Sequence, residues 1–297
     1  MSVATTVRSS ITADANVGWA EAMNHLHGIE WSMAGGVGRI VLDRATHHNA
    51  LGFETASALA GAISEVLHAQ PRVVVIQARG TIFCAGGDIQ EFARAGDLLP
   101  QLVHDILCQL LPAYLKLAEA SCPVVTVVNG PVGGAGIGLA LCGDFVLASD
   151  RMKLRTGYSA IGLSPDVGAS YFLARRVGAA RAMQWLMLSQ AVDAQRCLAA
   201  GAVDQVLPAH ELEAAAQALI DRLCQAAPAS LSAIKKLLTQ APDTGLQAHL
   251  LLEQQLLKAC ASTPDALEGV AAFVQKRAPV FQGPQGPDPL GHTPTPV

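Results

Sequence analysis

Two stretches decide the fold: Ile82-Phe83-Cys84-Ala85-Gly86-Gly87-Asp88-Ile89 and Asn129-Gly130-Pro131-Val132-Gly133-Gly134-Ala135-Gly136-Ile137-Gly138. The first follows an apolar run, Arg72–Ala78, and the second follows Pro123–Asn129. Both runs are Val-rich and short, as buried strands are, and both loops lead into helical patterns. Glycine lets backbone come close to a ligand, and a helix start offers N–H groups with no partner in the helix. Two such loops on neighbouring strands can aim two N–H groups at one oxygen, which is the geometry of an oxyanion hole. Taken singly, each loop is also an ordinary strand-to-helix turn. Gly134-x-Gly136-x-Gly138 fits a dinucleotide fingerprint only loosely, because Leu141 stands where the last glycine belongs. Neither a P-loop nor a G-x-S-x-G elbow is present.

Outward from these loops, Gly38–Leu42 and Asp144–Ser149 read as two more buried strands. Phe53–Ala69, Leu98–Glu119 and Ala135–Leu141 read as helices between them, so the core is α/β. From Leu198 onward helical patterns dominate: Glu211–Ala226, Ser230–Thr239, Leu246–Cys260 and Pro264–Lys276, with Pro208, Pro228, Pro242 and Pro264 at or near the breaks. The expected organisation is a loose extension over residues 1–28, an α/β core over 29–207, a helical region over 208–282 and a disordered Pro/Gly-rich tail over 283–297.

Hydrophobic residues make up 51% of the chain and charged residues 15%, enough apolar material for a large core and too little charge for disorder. A net charge of -4 argues against a nucleic-acid partner. No apolar run reaches membrane-span length, so no membrane association is expected. The N-terminus lacks a signal-peptide core, and the seven cysteines are scattered without a CxxC pair. A reducing, cytoplasmic location is the expectation. No His/Asp/Glu cluster has metal-ligand spacing, and no metal is expected.

Phe83-Cys84-Ala85-Gly86-Gly87-Asp88, and Asn129-Gly130-Pro131 with the glycines up to Gly138 and then Cys142-Gly143-Asp144, resemble the two signatures of the crotonase, or enoyl-CoA hydratase/isomerase, superfamily. Leu42-Asp43-Arg44 and Asn49-Ala50-Leu51 resemble its opening. Ile161-Gly162-Leu163-Ser164-Pro165-Asp166 and Leu173–Gly178 resemble its middle, and Phe273 with Lys276–Phe281 its end. The resemblance covers about residues 29–283, in order. It implies a spiral of β-β-α turns with a C-terminal helical trimerisation region, and a homotrimer or homohexamer as the assembly. The apolar run Leu250, Leu251, Leu252, Leu256 and Leu257 is a surface that needs such a partner. It also implies a coenzyme A thioester as substrate and no separate cofactor, with the thioester oxygen held by the Gly87 and Ala135 N–H groups. Glycine is usual where Ala135 stands, and the N–H survives that change.

Among such enzymes the acid/base group decides the reaction. In hydratases of the family two glutamates do this work; here those positions hold Gly138 and Tyr158. Hydration needs one group to activate water and one to deliver the α proton. Asp166 stands where several isomerases of the family carry their carboxylate, and one carboxylate suffices to move a proton between two carbons. Apolar neighbours such as Leu163 and Val167 are expected to raise its pKa. The plainer role for Asp166 is to cap the helix that opens near Gly168. The expected activity is therefore that of an acyl-CoA isomerase working through a thioester enolate. Three rivals stand beside it: a hydratase or other crotonase-type lyase, a CoA-binding scaffold without activity, and a dehalogenase with Asp166 as nucleophile. The last needs a histidine base where Leu111 stands, with His104 two turns upstream. Arg44, Lys276 and Arg277 are candidates for the CoA phosphates. Ala85, Asp88 and Gly134 are further candidates for contact with substrate, and Tyr158 is a candidate to orient substrate or Asp166. His47 and His48 are expected to face solvent.

Overall fold

The run Val73–Ala78 offers four apolar residues in succession, and a strand of that kind is stable only when both its faces are covered. The computed structural model, which describes residues 23–283, places it in the middle of a seven-stranded sheet. In chain order the first elements are β1 (Asn24–Leu26), β2 (Ile29–Ala34), β3 (Val37–Leu42), α1 (Phe53–His68), β4 (Val73–Ala78), α2 (Ile89–Ala95), α3 (Leu99–Ala118) and β5 (Val124–Val128). Then come β6 (Val132–Gly133), α4 (Gly136–Leu141), β7 (Phe145–Ser149), β8 (Lys153–Arg155), α5 (Ala169–Val177), α6 (Ala179–Leu188), β9 (Val192–Asp193), α7 (Ala194–Ala199) and β10 (Gln205–Leu207). Four helices close the described chain: α8 (Leu212–Cys224), α9 (Pro228–Gln240), α10 (Leu246–Ala261) and α11 (Pro264–Gln275).

The large sheet runs β1-β2-β3-β4-β5-β7-β10. Its first three strands are antiparallel, and from β3 onward every pair is parallel. Alternation along β4 sends Val74 and Ile76 to one face and Val73 and Val75 to the other. The first face packs on Leu59, Ile63 and Val66 of α1 and on Leu110 and Leu117 of α3. The second packs on Leu212, Ala216, Ile220 and Leu223 of α8. Full burial of each such side chain contributes about 1.5–3 kcal/mol, so both layers are needed to hold β4 in place. A second sheet of three short strands, β6-β8-β9, lies beside the first.

The four strands and three core helices read from sequence agree with β3, β4, β5, β7, α1, α3 and α4 to within a residue or two, and the four C-terminal helices agree likewise. The N-terminal boundary differs. Asn24–Leu26, inside the stretch read as loose, forms β1 against Ile29–Trp31 of β2 through the turn at His27-Gly28. Residues 1–22 and the tail beyond Gly283 lie outside the described residues. No helix among the described residues is long and apolar enough to cross a membrane.

Candidate active site

All the loops that matter leave the same edge of the parallel sheet, beyond the carboxyl ends of β3, β4 and β5. Asn49 fastens the first two together. Its side chain is buried at positive φ, donates to the carbonyls of Arg79 and Ile82 at 3.0 and 2.8 Å, and accepts from the Arg44 N–H at 2.8 Å. Backbone bonds continue the seam. Leu51 N–H donates to the Gly86 carbonyl at 2.8 Å, and Asp88 N–H returns to Leu51 at 3.1 Å. The first glycine loop is joined to the second in the same way: Phe83 N–H to the Pro131 carbonyl at 3.0 Å, and Gly133 N–H to the Cys84 carbonyl at 2.9 Å.

The two glycine loops therefore lie against each other. Gly86 holds φ at +99°, and a Cβ there would stand 2.9 Å from the Gly133 carbonyl oxygen and 3.1 Å from the Ala135 nitrogen. Only glycine allows both the dihedral and the approach. Gly87 is covered by the Phe92 ring, 2.7 Å from where a Cβ would sit. The N–H groups of Gly87 and Ala135 meet no acceptor among the described residues, and those of Gly86 and Gly134 meet no backbone acceptor there either. Two unpaired donors on touching loops, one of them at the start of α4, form an arrangement that can receive a single oxygen.

The carboxylate of Asp166 is carried on a turn that packs on α4, the helix that follows Ala135. It sits in the turn between β8 and α5, and Oδ1 accepts a hydrogen bond of 2.7 Å from the Tyr158 hydroxyl. Burial pushes the Asp166 pKa up from 3.8, and the Tyr158 bond only partly offsets this. Tyr158 is itself buried and held far above its ordinary value by desolvation and the neighbouring carboxylate, so it stays a neutral donor. No side-chain cap is made to α5, whose first position follows Gly168, so the helix-cap role read from sequence is not the one Asp166 has. The charge of Asp166 is felt at Cys84 in the first glycine loop, whose thiol is pushed up to about 12, chiefly by burial. Sequence reading missed Tyr114 on α3. Its hydroxyl is buried with no partner among the described residues, and its pKa is raised by burial first and then by Cys142, Cys84, Asp166 and Tyr158. A lone tyrosine in an apolar helical stripe gives no sequence signal of that placement.

The other candidates fall into two groups. Ala85 is exposed, and its carbonyl lies 2.9 Å from the position of a Cβ on Gly133; Gly134 stands between the loops at positive φ. Asp88 is engaged structurally. Oδ1 accepts from the N–H groups of Gln90 and Glu91 at the start of α2, and Oδ2 accepts from Arg44 at 3.1 Å. Burial works to raise its pKa, but those bonds outweigh it and the net shift is downward. Arg44 also donates to the Ala50 carbonyl, so this arginine ties the opening loop to α2. His47 and His48 face solvent.

Lys276 and Arg277 lie elsewhere. Arg277 is paired with Glu268 through both guanidinium arms, at 2.6 and 2.8 Å. The segment that follows is pinned to Arg72, which donates to the Phe281 carbonyl at 2.9 Å. Arg72 opens β4, at the sheet edge opposite the one that carries the glycine loops. The structure thus does not bring Lys276 and Arg277 to the Asp166 site of their own chain. His104 is bonded to Cys108 on the exposed face of α3, and Leu111 is exposed, so no histidine pairs with Asp166 among the described residues.

The sequence model of the enoyl-CoA hydratase/isomerase family matches residues 32–284. The chain belongs to this family. Among its relatives in the family is the trans-2-decenoyl-[acyl-carrier-protein] isomerase of Streptococcus mutans, 34% identical over 216 residues, 71% of this chain and 81% of that protein. The 1,2-epoxyphenylacetyl-CoA isomerase of Escherichia coli is 32% identical over 84% of this chain and 95% of its own length. The crystal structure of an enoyl-CoA hydratase from Polaromonas superposes with a TM-score of 0.79 at 32% identity, covering 86% of this chain and 99% of that one. Family members similar to this chain thus carry both isomerase and hydratase names, and the Polaromonas structure shares the α/β fold of this chain.

Proposed function

We propose that this member of the enoyl-CoA hydratase/isomerase family is an acyl-CoA double-bond isomerase with Asp166 as its one acid/base. The observation that carries the reading is the Asp166–Tyr158 pair: a half-buried carboxylate of raised pKa whose partner is a neutral hydroxyl rather than a second carboxylate. The thioester oxygen of the substrate accepts from the Gly87 and Ala135 N–H groups. As Asp166 removes a proton from the carbon at one end of the allylic system, the electron pair moves onto that oxygen and forms the enolate. The protonated Asp166 then returns the proton to the carbon at the other end, and the thioester carbonyl re-forms. Nothing is added or lost, so no water and no second acid are required. Each oxyanion donor contributes about 10²- to 10³-fold in such reactions.

Burial serves this step because a base near the ordinary carboxylate range is too weak to take a carbon-bound proton efficiently. Tyr158 fixes the carboxylate and holds it ionised. Exposed Leu246, Leu250, Leu251, Leu257 and Phe273 on α10 and α11 support a homotrimer or homohexamer, whereas Leu256 is buried within the chain against Ala233. Kinetics of Asp166→Asn test the mechanism. Asparagine keeps the shape and removes the base, so isomerisation of a 3-enoyl-CoA should fall by about 10²-fold or more. Full activity in that variant would exclude it.

A further inference from the structure

Resting on the isomerase reading above, we infer that Gly138 is a positioning residue: the missing side chain on α4 is the seat that holds the Asp166 turn in its working place. Gly138 lies in the middle of α4, buried, where glycine is less favourable than alanine and no turn requires it. Its α-carbon faces the backbone of the turn that carries Asp166. A Cβ built there would drive into the Val167 carbonyl oxygen and would lie 3.0 Å from the Val167 carbonyl carbon and 3.4 Å from the Ala169 nitrogen. Residue and turn are thus shaped to each other.

The turn itself bears the mark of being held. Val167 has φ of +36°, in the region that a β-branched residue enters only when its surroundings force it. Its side chain is buried, and the Ala169 N–H donates to the Asp166 carbonyl at 2.8 Å. Residues 161–165 on the other side of the turn are exposed. The turn thus rests on α4 beneath it, while Tyr158 holds its carboxylate. Any side chain at position 138 lifts the Val167 carbonyl and, with it, the carboxylate that Tyr158 holds at 2.7 Å.

One consequence concerns reaction choice. The space for any Cβ at position 138 is filled by the Val167 carbonyl. A carboxylate at 138 and an Asp166 in its present place exclude each other sterically. At position 138 a second carboxylate is barred by the backbone, not only by the choice of side chain.

The test is a double-mutant cycle between Gly138→Ala and Asp166→Asn, read as turnover and pH profile with a 3-enoyl-CoA. Gly138→Ala should fold, because the exposed residues 161–165 let the turn shift without unpacking the core. Its kcat should fall at least tenfold with KM changed less than about threefold, and its acid limb should move to higher pH as the Tyr158 bond is lost. Adding Gly138→Ala to Asp166→Asn should cost no further activity, since both act through one carboxylate. Gly138→Glu should not gain hydration of a 2-enoyl-CoA. Wild-type turnover and acid limb in Gly138→Ala, additive losses in the double variant, or a Gly138→Ala chain that does not fold would each overturn the inference. The outcomes separate it from the reading it rests on. Asp166→Asn at full activity sinks the isomerase mechanism, whereas an inactive Asp166→Asn beside an unperturbed Gly138→Ala sinks the seat alone.

Discussion

Replacing Tyr158 by phenylalanine removes one hydroxyl and little else. That hydroxyl donates to Asp166 Oδ1 at 2.7 Å, in a site shielded enough that burial has raised the carboxyl pKa. A hydrogen bond to a charged group is worth about 1.5–3 kcal/mol. The bond favours the ionised form only, so at 1.36 kcal/mol per tenfold it weights carboxylate over carboxylic acid by roughly ten- to a hundredfold. The sign follows directly. The base works ionised, losing the donor raises its pKa further, and the variant must reach a higher pH before it is active. Below the wild-type acid limb both enzymes are protonated and both lose activity in proportion. Between the two limbs the variant is slower by up to the same ten- to hundredfold, and on the alkaline plateau it recovers. The assay is kcat/KM for a 3-enoyl-CoA against pH, followed by absorbance of the conjugated product. An acid limb that coincides with wild type, with or without a lower plateau, would refute the electrostatic role given to Tyr158.

Three further outcomes are expected. Gly87→Pro removes an N–H and should lower turnover by about 10²-fold or more in a chain that circular dichroism shows to be folded, whereas Gly87→Ala crowds Phe92 in a similar way but keeps the donor and should lose less. Asn49→Ala leaves the Arg79 and Ile82 carbonyls without their donor and should cost about 2–4 kcal/mol in urea unfolding; a loss under 1 kcal/mol would mean the seam between the loops holds without it. Light scattering at micromolar concentration should give the mass of a trimer or hexamer, and a monomer would leave the exposed leucines of α10 unexplained.

How much of this was legible in the sequence follows from where each signal lies. Val73–Ala78 and Val124–Val128 are local patterns of one residue type, so their strands were readable to a residue. The strand β1 was not, because Asn24–Leu26 is exposed throughout and owes its pairing to β2 rather than to its own composition. Asp166 was readable through its position after Pro165, but its partner was not certain: Tyr158 comes eight residues earlier, and only the fold of the turn brings the hydroxyl to the carboxylate. Asp88 stood in a signature and was expected near substrate, yet its oxygens are engaged by α2 and Arg44. A motif shows that a residue matters without showing whether it holds the substrate or the loop. Lys276 and Arg277 lie away from Asp166 of their own chain, and linear order does not reveal this, since it is Arg72 that pins their segment to the far edge of the sheet.

The central claim is that one carboxylate, not two, does the proton transfer. Its most direct test is to follow hydration of crotonyl-CoA and isomerisation of a 3-enoyl-CoA in parallel on the wild-type protein and on Asp166→Asn. The account predicts fast isomerisation and slow or no hydration in the wild type, with isomerisation reduced by about 10²-fold or more in the variant. Fast hydration in the wild type, unchanged in Asp166→Asn, would contradict it.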